Sequence, residues 1–270
     1  MSFTQRTDLR NIAIIAHVDH GKTTLVDEML KQSGTIKAGS DQAIERVMDS
    51  GDIERERGIT ILAKNTSIKL EQGVTINIVD TPGHLDFGGE VERTLQMVEG
   101  FMLLVDAAEG PLPGTRFVLQ KALQLDLKPI VLINKIDRKD ADIERTENMI
   151  HDLFLELATR DEQLDFPVLY GSSRGGYASL DKDLRGGTLK PLFECIVEHI
   201  PVPKQEDGNL RLLITNLDHS DYLGRIGIGR IFSGTISLGK QLIACKKEYV
   251  GAPLRITKLY KFEGVERKEV

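Results

Sequence analysis

The sequence is poor in cysteine, in aromatic residues and in long apolar runs. It has two cysteines, no tryptophan and 5% aromatic residues among 270 positions. Cys195 and Cys245 cannot build a disulfide framework or a cysteine-based zinc site. No apolar run reaches the roughly 20 residues that a membrane-spanning helix requires. The amino-terminal residues also lack the pattern of a secretory signal peptide, so we expect a cytoplasmic protein that does not enter a membrane.

Apolar segments alternate with segments of helical periodicity along the first 200 residues. The predicted strands are 11–15, 61–70, 74–79, 101–106, 129–134 and 166–170, and the predicted helices are 22–32, 88–98, 114–126, 141–158 and 189–199. This alternation is typical of an α/β fold with a doubly wound, mostly parallel sheet. The turn residues Glu71, Gln72 and Gly73 predict a hairpin, and hence one antiparallel edge strand.

The pattern changes after residue 200. Residues 201–208 are rich in proline and charge and read as a linker. Residues 209–270 contain short strand-like runs separated by glycine turns, at 210–217, 224–232, 235–238, 242–245 and 255–260. We therefore expect a nucleotide-binding domain over 1–200 and a small β-barrel over 209–270. The sequence ends before the expected barrel closes, which predicts a truncated barrel and a fragment of a longer protein.

The segment 16–23, with the sequence AHVDHGKT, joins a predicted strand to a predicted helix. This is the context of a phosphate-binding loop, because the N–H groups and the dipole at a helix amino terminus attract an anion. We expect the loop to bind nucleotide through Asp19, His20, Gly21, Lys22, Thr23 and Thr24. Lys22 would reach the β- and γ-phosphates, and the Thr23 hydroxyl would bind Mg²⁺. Ala16 stands where the usual pattern has glycine, and it still permits a tight turn.

Two further segments supply candidates for metal binding and hydrolysis. Asp80 leaves a predicted strand, where a carboxylate can hold Mg²⁺, and Gly83 offers its N–H to a γ-phosphate. His84 follows and would orient an attacking water molecule. Thr60, beside a charged run, would complete the Mg²⁺ shell from a switch loop. Taken alone, each segment also reads as a turn or as a solvated loop.

Two polar segments that follow predicted strands indicate the base. In Asn134-Lys135-Ile136-Asp137, the carboxylate of Asp137 can accept hydrogen bonds from the N1 and N2 groups of guanine. Adenine lacks this pair of donors, so Asp137 would select GTP or GDP. Asn134 and Lys135 would brace the phosphate loop. Ser172 and Ser173 follow another predicted strand, where small residues let backbone N–H groups reach the guanine O6 atom.

In this order, the five segments resemble the translational GTPases, the elongation-factor-like branch of the P-loop GTPases. The resemblance covers essentially the whole chain and is highly specific over residues 9–135. It is closest to the BipA/TypA group, through residues 17–20, 45–50, 61–66, 86–93 and 161–167. It implies a GTP-hydrolysing switch that acts on the ribosome, in translation regulation, stress response or ribosome assembly. It also implies His84 as the catalytic residue, an apolar gate of Val18 and Ile59, and a monovalent cation near Asp19.

Two features of the motifs bear on the rate of hydrolysis and on the contacts to the base. The motifs contain no arginine finger, so we expect slow hydrolysis that a partner accelerates. Ser173 and Arg174 depart from the Ser-Ala-Leu/Lys pattern of the family, which leaves the individual contacts at this loop open.

The expected partners are rRNA and ribosomal proteins, and neither DNA nor a membrane; we expect a monomer. The chain has a net charge of −6, yet residues 201–270 carry twelve basic and eight acidic side chains. That region is either an rRNA-facing surface or a solvated barrel face. Other functions remain open: another ribosomal GTPase, a GTP-dependent interaction module without turnover, and an ATP-using P-loop enzyme.

Overall fold

A computed structural model describes residues 3–35, 64–81, 88–220, 222–246 and 249–270. The first eight strands are β1 (Phe3–Gln5), β2 (Leu9–Ala16), β3 (Lys64–Lys69), β4 (Thr75–Asp80), β5 (Gly100–Asp106), β6 (Lys128–Asn134), β7 (Val168–Ser172) and β8 (Tyr177–Ser179). The helices are α1 (Lys22–Gln32), α2 (Gly88–Leu95), α3 (Pro113–Gln124), α4 (Ile143–Leu157) and α5 (Lys190–His199), with a short 3₁₀ turn at Asp161–Gln163.

Seven of these strands form one sheet in the order β3-β4-β2-β5-β6-β7-β8. Strands β4, β2, β5, β6 and β7 are parallel, whereas β3 is antiparallel to β4, as the turn at 71–73 predicts. The predicted α/β class is therefore confirmed. Strand β8 adds a second antiparallel edge that the sequence pattern does not predict, because three residues are too few for a periodic signal.

Apolar side chains fill both faces of this sheet. Residues of α2, α3 and α4 cover one face, and residues of α1 and α5 cover the other. In α1 the buried residues Leu25, Val26, Met29 and Leu30 recur at helical spacing, so one face of the helix lies on the sheet. Within the described ranges, no helix is long and apolar enough to cross a membrane.

The remaining strands are β9 (Lys204–Glu206), β10 (Arg211–Ser220), β11 (Gly224–Ser233), β12 (Gln241–Lys246), β13 (Tyr249–Arg255), β14 (Tyr260–Glu263) and β15 (Glu266–Glu269). One small sheet has the order β1-β9-β11-β10, and β12-β13 and β14-β15 are separate hairpins. These small, mostly antiparallel units fit an incomplete barrel. Strand β9 lies inside the predicted linker and pairs with β1, so the first residues of the chain join the sheet of the second domain.

Two predicted barrel strands are wrong. Residues 235–238 form no strand, because Gly234 and Gly239 on either side have positive φ angles and turn the chain. Most of 255–260 is also irregular, and the strand lies earlier, in β13. Strand β13 contains Gly251 and Pro253, two residue types that are depleted in strands. For this reason the sequence pattern does not predict a strand there.

The β14-β15 hairpin docks on β3, the edge strand of the large sheet. Ser67 and Gly264 exchange backbone hydrogen bonds of 3.1 and 3.0 Å, and the Thr66 hydroxyl donates to the Gly264 carbonyl at 2.7 Å. The Ser67 hydroxyl donates to the Phe262 carbonyl at 2.7 Å. The hairpin thus satisfies backbone groups of an edge that would otherwise face solvent, and it fixes the second domain to the first.

We expect Phe154→Ala to lower the free energy of unfolding by about 3 to 5 kcal/mol. The Phe154 side chain on α4 is fully buried, and its ring centroid lies 4.2 Å from that of Phe166. Truncation removes this contact and leaves a cavity in the core. Urea unfolding followed by circular dichroism measures the change. The neighbouring Leu155, which is 64% exposed, is the matched control: Leu155→Ala should change stability by less than about 0.5 kcal/mol. Equal losses would contradict the assignment of this helix face.

Candidate functional site

The loop between β2 and α1 has a backbone suited to an anion. Asp19 and Gly21 have φ angles of 64° and 94°, in the left-handed region. Such residues let successive N–H groups form a concave anion-binding nest, here at the amino terminus of a helix. A Cβ atom at Gly21 would lie 2.5 Å from the Asn134 Nδ2 atom. Glycine is therefore required at this position, and the loop lies directly against β6.

Lys22 and Asp80 form a buried ion pair beside this loop. The Lys22 Nζ atom lies 2.7 Å from the Asp80 Oδ1 atom, with 8% and 2% of the two side chains exposed. Lys22 also donates to the Thr81 carbonyl. The pairing of β4 with β2 places Asp80 opposite Ile14, and the Thr81 hydroxyl donates to the Ile14 carbonyl at 2.7 Å. A fixed cation and a fixed carboxylate therefore meet where β4 and β2 end.

The donor chemistry at this point fits Mg²⁺, which takes oxygen ligands. Asp80 contributes a carboxylate, and the half-buried Thr23 contributes a hydroxyl on the first turn of α1. The described ranges contain no group of three or more His, Cys, Asp or Glu side chains that could hold a metal ion. A Mg²⁺ ion here would therefore take further ligands from phosphate and water, as it commonly does.

Asn134 links the phosphate loop to the loop after β7. Its Nδ2 atom donates to the His20 carbonyl at 2.7 Å, and its Oδ1 atom accepts from the Ser173 N–H at 2.8 Å. The side chain is buried, so both bonds form away from solvent. Ser173 is also buried, and its hydroxyl has no hydrogen-bond partner among the described residues. Its oxygen lies 3.7 Å from where a Cβ at Gly21 would be, so it borders the phosphate loop.

Lys135 makes a second link to the phosphate loop. Its backbone is left-handed, with a φ of 61°, and its ammonium group donates to the Asp19 carbonyl. The same group lies 2.7 Å from the Asp106 Oδ2 atom, at the end of β5. Burial alone would raise the pKa of Asp106, but hydrogen bonds from Lys135 and the Ala108 N–H, with the charges of Lys135 and Arg138, lower it overall. Asp106 therefore stays ionised and fixes Lys135.

Asp106 also lies in this candidate site, although no sequence motif marks it. It follows an apolar strand in the same way as Asp80 and Asn134. That position, at the carboxyl end of a parallel strand, is the signal that could have identified it. A lone acidic residue without a surrounding motif, however, is also common at a strand end that binds nothing.

Asp137 is exposed and lies near Tyr177 of β8. Burial raises the pKa of Tyr177, and the negative charge of Asp137 raises it further. The Tyr177 hydroxyl is enclosed and has no hydrogen-bond partner within the described part of the chain. Ile136 donates its N–H to the Gly171 carbonyl at 3.2 Å. Asp137 and the Ser172–Ser173 loop therefore lie next to each other. Within that loop, the Ser172 hydroxyl accepts a hydrogen bond from the Gly175 N–H at 3.0 Å.

The His20 side chain points away from the loop and into the protein. It is fully buried, and its Nδ1 atom lies 3.3 Å from the Leu104 carbonyl oxygen and 3.4 Å from the Asp106 nitrogen. Its Nε2 atom lies 3.5 Å from a carboxylate oxygen of Glu109. Burial lowers the pKa of His20, although hydrogen bonding to Leu104 and the nearby Glu109 oppose this. The imidazole is neutral at pH 7, and His20 can contribute to nucleotide binding only through its backbone.

The other predicted site residues divide into two groups. Val18 is half-buried in the phosphate loop, and Thr24 is exposed on the first turn of α1. Gly83, His84, Thr60 and Ile59 lie outside the described residues. The assignment of catalytic and metal-binding roles to those four positions stays a prediction from sequence.

Comparison with protein-family models matches residues 7–202 to the elongation factor Tu GTP-binding domain. Proteins named large ribosomal subunit assembly factor BipA are similar along almost the whole chain. Identity is 53% with the Bacillus subtilis protein and 54% with the Synechocystis protein, over 98% and 97% of this chain. The aligned parts are 43% and 44% of those proteins, so this chain spans less than half the length of these curated relatives.

Two solved structures share the fold. A protein from Thermus thermophilus aligns with a TM-score of 0.70 and 18% identity, over 98% of this chain and 50% of that one. A bacterial selenocysteine-specific elongation factor, EF-Sec, aligns with a TM-score of 0.71 and 21% identity, over 96% of this chain and 40% of that one. At these identities the likeness is one of fold alone.

We expect the free energy of unfolding to fall as the pH drops through about 6.5, the ordinary pKa of histidine. The pKa of His20 is lowered in the folded chain, so the unfolded chain takes up a proton first and is favoured at low pH. One such group contributes a slope of at most about 1.4 kcal/mol per pH unit. Urea unfolding between about pH 8 and pH 5.5 measures it.

In this experiment His20→Asn should flatten the dependence on pH, whatever it does to stability at the alkaline end of the range. His219→Asn, at an exposed position, serves as the control and should keep the wild-type slope. Equal slopes in the wild type and His20→Asn would contradict a neutral, buried His20.

Proposed function

Since this chain belongs to the family of elongation factor Tu GTP-binding domains, we propose that it binds GTP and hydrolyses it to GDP and phosphate. We further propose that it acts as a molecular switch on the ribosome, and hence in the cytoplasm. The names of its relatives, which are ribosomal subunit assembly factors, support this role. The proposed partners are rRNA and ribosomal proteins, and the proposed state is a monomer with no DNA or membrane partner.

The observation that carries the proposal is the double contact of Asn134. Its side chain bonds to the phosphate loop at His20 and to the small-residue loop at Ser173. The two loops are thereby held next to each other, so that one ligand with a phosphate end and a base end would contact both. A nucleotide has this shape, and Asp137 beside Tyr177 supplies the acceptor that distinguishes guanine from adenine.

At the phosphate end, Lys22 and the loop N–H groups would bind the β- and γ-phosphates. Thr23, Thr60 and Asp80 would hold Mg²⁺, whose charge would offset that of the phosphates. A monovalent cation near Asp19 is a further proposal that comes from the family resemblance. In this arrangement the described residues supply positioning and charge, which are the main contributions of protein to phosphoryl transfer.

The proposed catalytic residue is His84, which would orient the attacking water, with Gly83 donating its N–H to the γ-phosphate. Val18 and Ile59 would form an apolar gate that restrains His84 until the ribosome engages. These roles rest on sequence position and resemblance. They make hydrolysis dependent on a partner, since no arginine finger accompanies the motifs.

Asp137→Asn should lower the affinity for GTP at least about 100-fold, because the new amide offers one acceptor oxygen where the carboxylate offers two, and one of the guanine donors at N1 and N2 would lose its partner. The same variant should gain affinity for xanthosine triphosphate, whose C2 oxygen can accept from the new amide. Equilibrium binding of fluorescent nucleotide analogues measures both changes. The exposed Asp140 is the matched control, and Asp140→Asn should bind GTP like the wild type.

Two results would contradict this assignment. Unchanged GTP binding by Asp137→Asn would remove Asp137 from the base site. Displacement of GTP from the wild type by an equal concentration of ATP would instead favour an ATP-using enzyme.

Without ribosomes, we expect the wild type to hydrolyse GTP more slowly than about one turnover per minute. Ribosomes should accelerate this rate, and His84→Ala should bind GTP normally but lose the acceleration, because its water would no longer be oriented. A single-turnover assay with radiolabelled GTP, with and without ribosomes, measures both.

Ribosome co-sedimentation in GTP, GDP and a non-hydrolysable analogue tests the switch separately. Equal pelleting in all three would reject a nucleotide-dependent switch. Binding that depends on GTP, without accelerated turnover in the wild type, would identify a non-catalytic interaction module instead.

A further inference from the structure

Arg230 on β11 connects the second domain to the turn between α2 and β5. Its Nη1 atom donates to the Met97 carbonyl at 2.7 Å, and its Nη2 atom donates to the Glu99 carboxylate. The two side chains are largely buried, with 14% of Arg230 and 16% of Glu99 exposed. One guanidinium group therefore holds both ends of a three-residue turn, a geometry that a single-point cation such as lysine cannot reproduce.

Hydrogen bonds connect Glu99, and through it Arg230, to the central strands of the large sheet. Its Oε2 atom accepts from the Asn11 Nδ2 atom at 2.9 Å, and its N–H donates to the Asn11 carbonyl at 3.1 Å. The Asn11 Oδ1 atom in turn accepts from the Asn77 Nδ2 atom at 2.8 Å. Asn11 lies on β2, which leads into the phosphate loop, and Asn77 lies on β4, which ends at Asp80.

Further residues of the β10-β11 hairpin contact Arg230 or the turn at 97–99. The Arg230 guanidinium lies 4.7 Å from the centroid of the Phe232 ring, which restricts its rotamers. The buried Thr215 hydroxyl on β10 lies 3.1 Å from the Met97 Sδ atom. Both strands of the β10-β11 hairpin therefore contact this one turn.

The turn at 97–99 follows the carboxyl end of α2. Met97 donates its N–H to the Thr94 carbonyl at 3.0 Å, so its own carbonyl continues the last helical turn. A cation that binds this carbonyl also matches the negative end of the helix dipole. Val91, Thr94 and Leu95 are buried, so the helix is packed as one body about 12 Å long. Its other end, Gly88, begins seven residues after Thr81, whose carbonyl accepts from Lys22.

We propose that Arg230 is a positioning residue that fixes α2 against the sheet and thereby couples the second domain to the γ-phosphate side of the nucleotide site. The coupling to nucleotide rests on the proposed function, whereas the fixing of α2 does not. If the coupling exists, a change at Arg230 alters the preference for GTP over GDP, because only GTP has the group that this side of the site binds.

The first measurement is hydrogen exchange in the nucleotide-free chain, read by mass spectrometry over residues 91–99. Arg230→Ala should speed exchange in this segment about tenfold or more, since it removes two charge-assisted contacts from the turn. The matched control is Arg225→Ala. Arg225 lies on the same strand, but its side chain is exposed and, five residues away, alternates to the other face of the strand from Arg230. It should leave exchange at 91–99 unchanged.

The second measurement is the ratio of the dissociation constants for GTP and GDP. Arg230→Ala should change this ratio about fivefold or more, and Arg225→Ala should not. Arg230→Lys, which restores the charge but not both contacts, should give intermediate exchange and an intermediate ratio. Glu99→Gln should act in the same direction as Arg230→Ala, and the double variant should change the ratio by less than the two single effects combined.

The outcomes separate the inference from the function on which it rests. Unchanged exchange at 91–99 in Arg230→Ala overturns the positioning role. Faster exchange with an unchanged nucleotide ratio overturns the coupling and leaves a purely structural joint. Failure of the wild type to bind GTP rejects the proposed function, while the exchange result still decides whether Arg230 holds α2. If Arg230→Ala does not fold, Arg230→Lys and Glu99→Gln provide the same comparisons.

Discussion

The buried amide of Asn134 is the contact on which the rest of the site depends. Its donor and its acceptor are both used, one on the phosphate loop and one on the loop after β7. Loss of either bond would leave a buried polar group unpaired, at a cost of about 1 to 3 kcal/mol. The contact also explains Gly21, since any Cβ there would collide with this amide. The backbone shape that suits an anion is thus a consequence of packing against β6.

The central strands of the large sheet connect the candidate nucleotide site, at one end of the first domain, to the second domain at the other end. At their carboxyl ends lie Lys22, Asp80 and Asn134, where parallel strands conventionally present ligands. At the other end of the strands, Glu99 accepts hydrogen bonds from both Asn11 and Arg230, and Arg230 belongs to the second domain. The strands between are hydrogen-bonded to neighbours on both sides and buried on both faces, so they resist independent movement. A displacement of the second domain therefore acts on the sheet and α2 together.

Sequence alone located most of the large sheet, and it singled out Lys22, Asp80 and Asn134, which the structure brings together at the strand ends. Each of them stands in a motif that directly follows an apolar strand and contains residues with a distinctive chemistry. Asp106 occupies an equivalent position but stands without a motif, and it was missed. Arg230 could not be found either, since its partners Met97 and Glu99 are more than 130 residues away in the chain. The direction of the His20 side chain was equally invisible, because a loop histidine reads as exposed until its neighbours are known.

The Lys22–Asp80 pair gives the site a way to keep its charges balanced. A buried ion pair is tolerated because each partner compensates the other, and removing one partner leaves an expensive unpaired charge. Under the proposed function, a triphosphate with Mg²⁺ offers both groups a new partner at once: phosphate for Lys22 and the cation for Asp80. Neither charge is left alone in the buried site during the exchange. A nucleotide without the metal, or a metal without the phosphates, would satisfy only one of the two, so the pair itself favours the combined ligand.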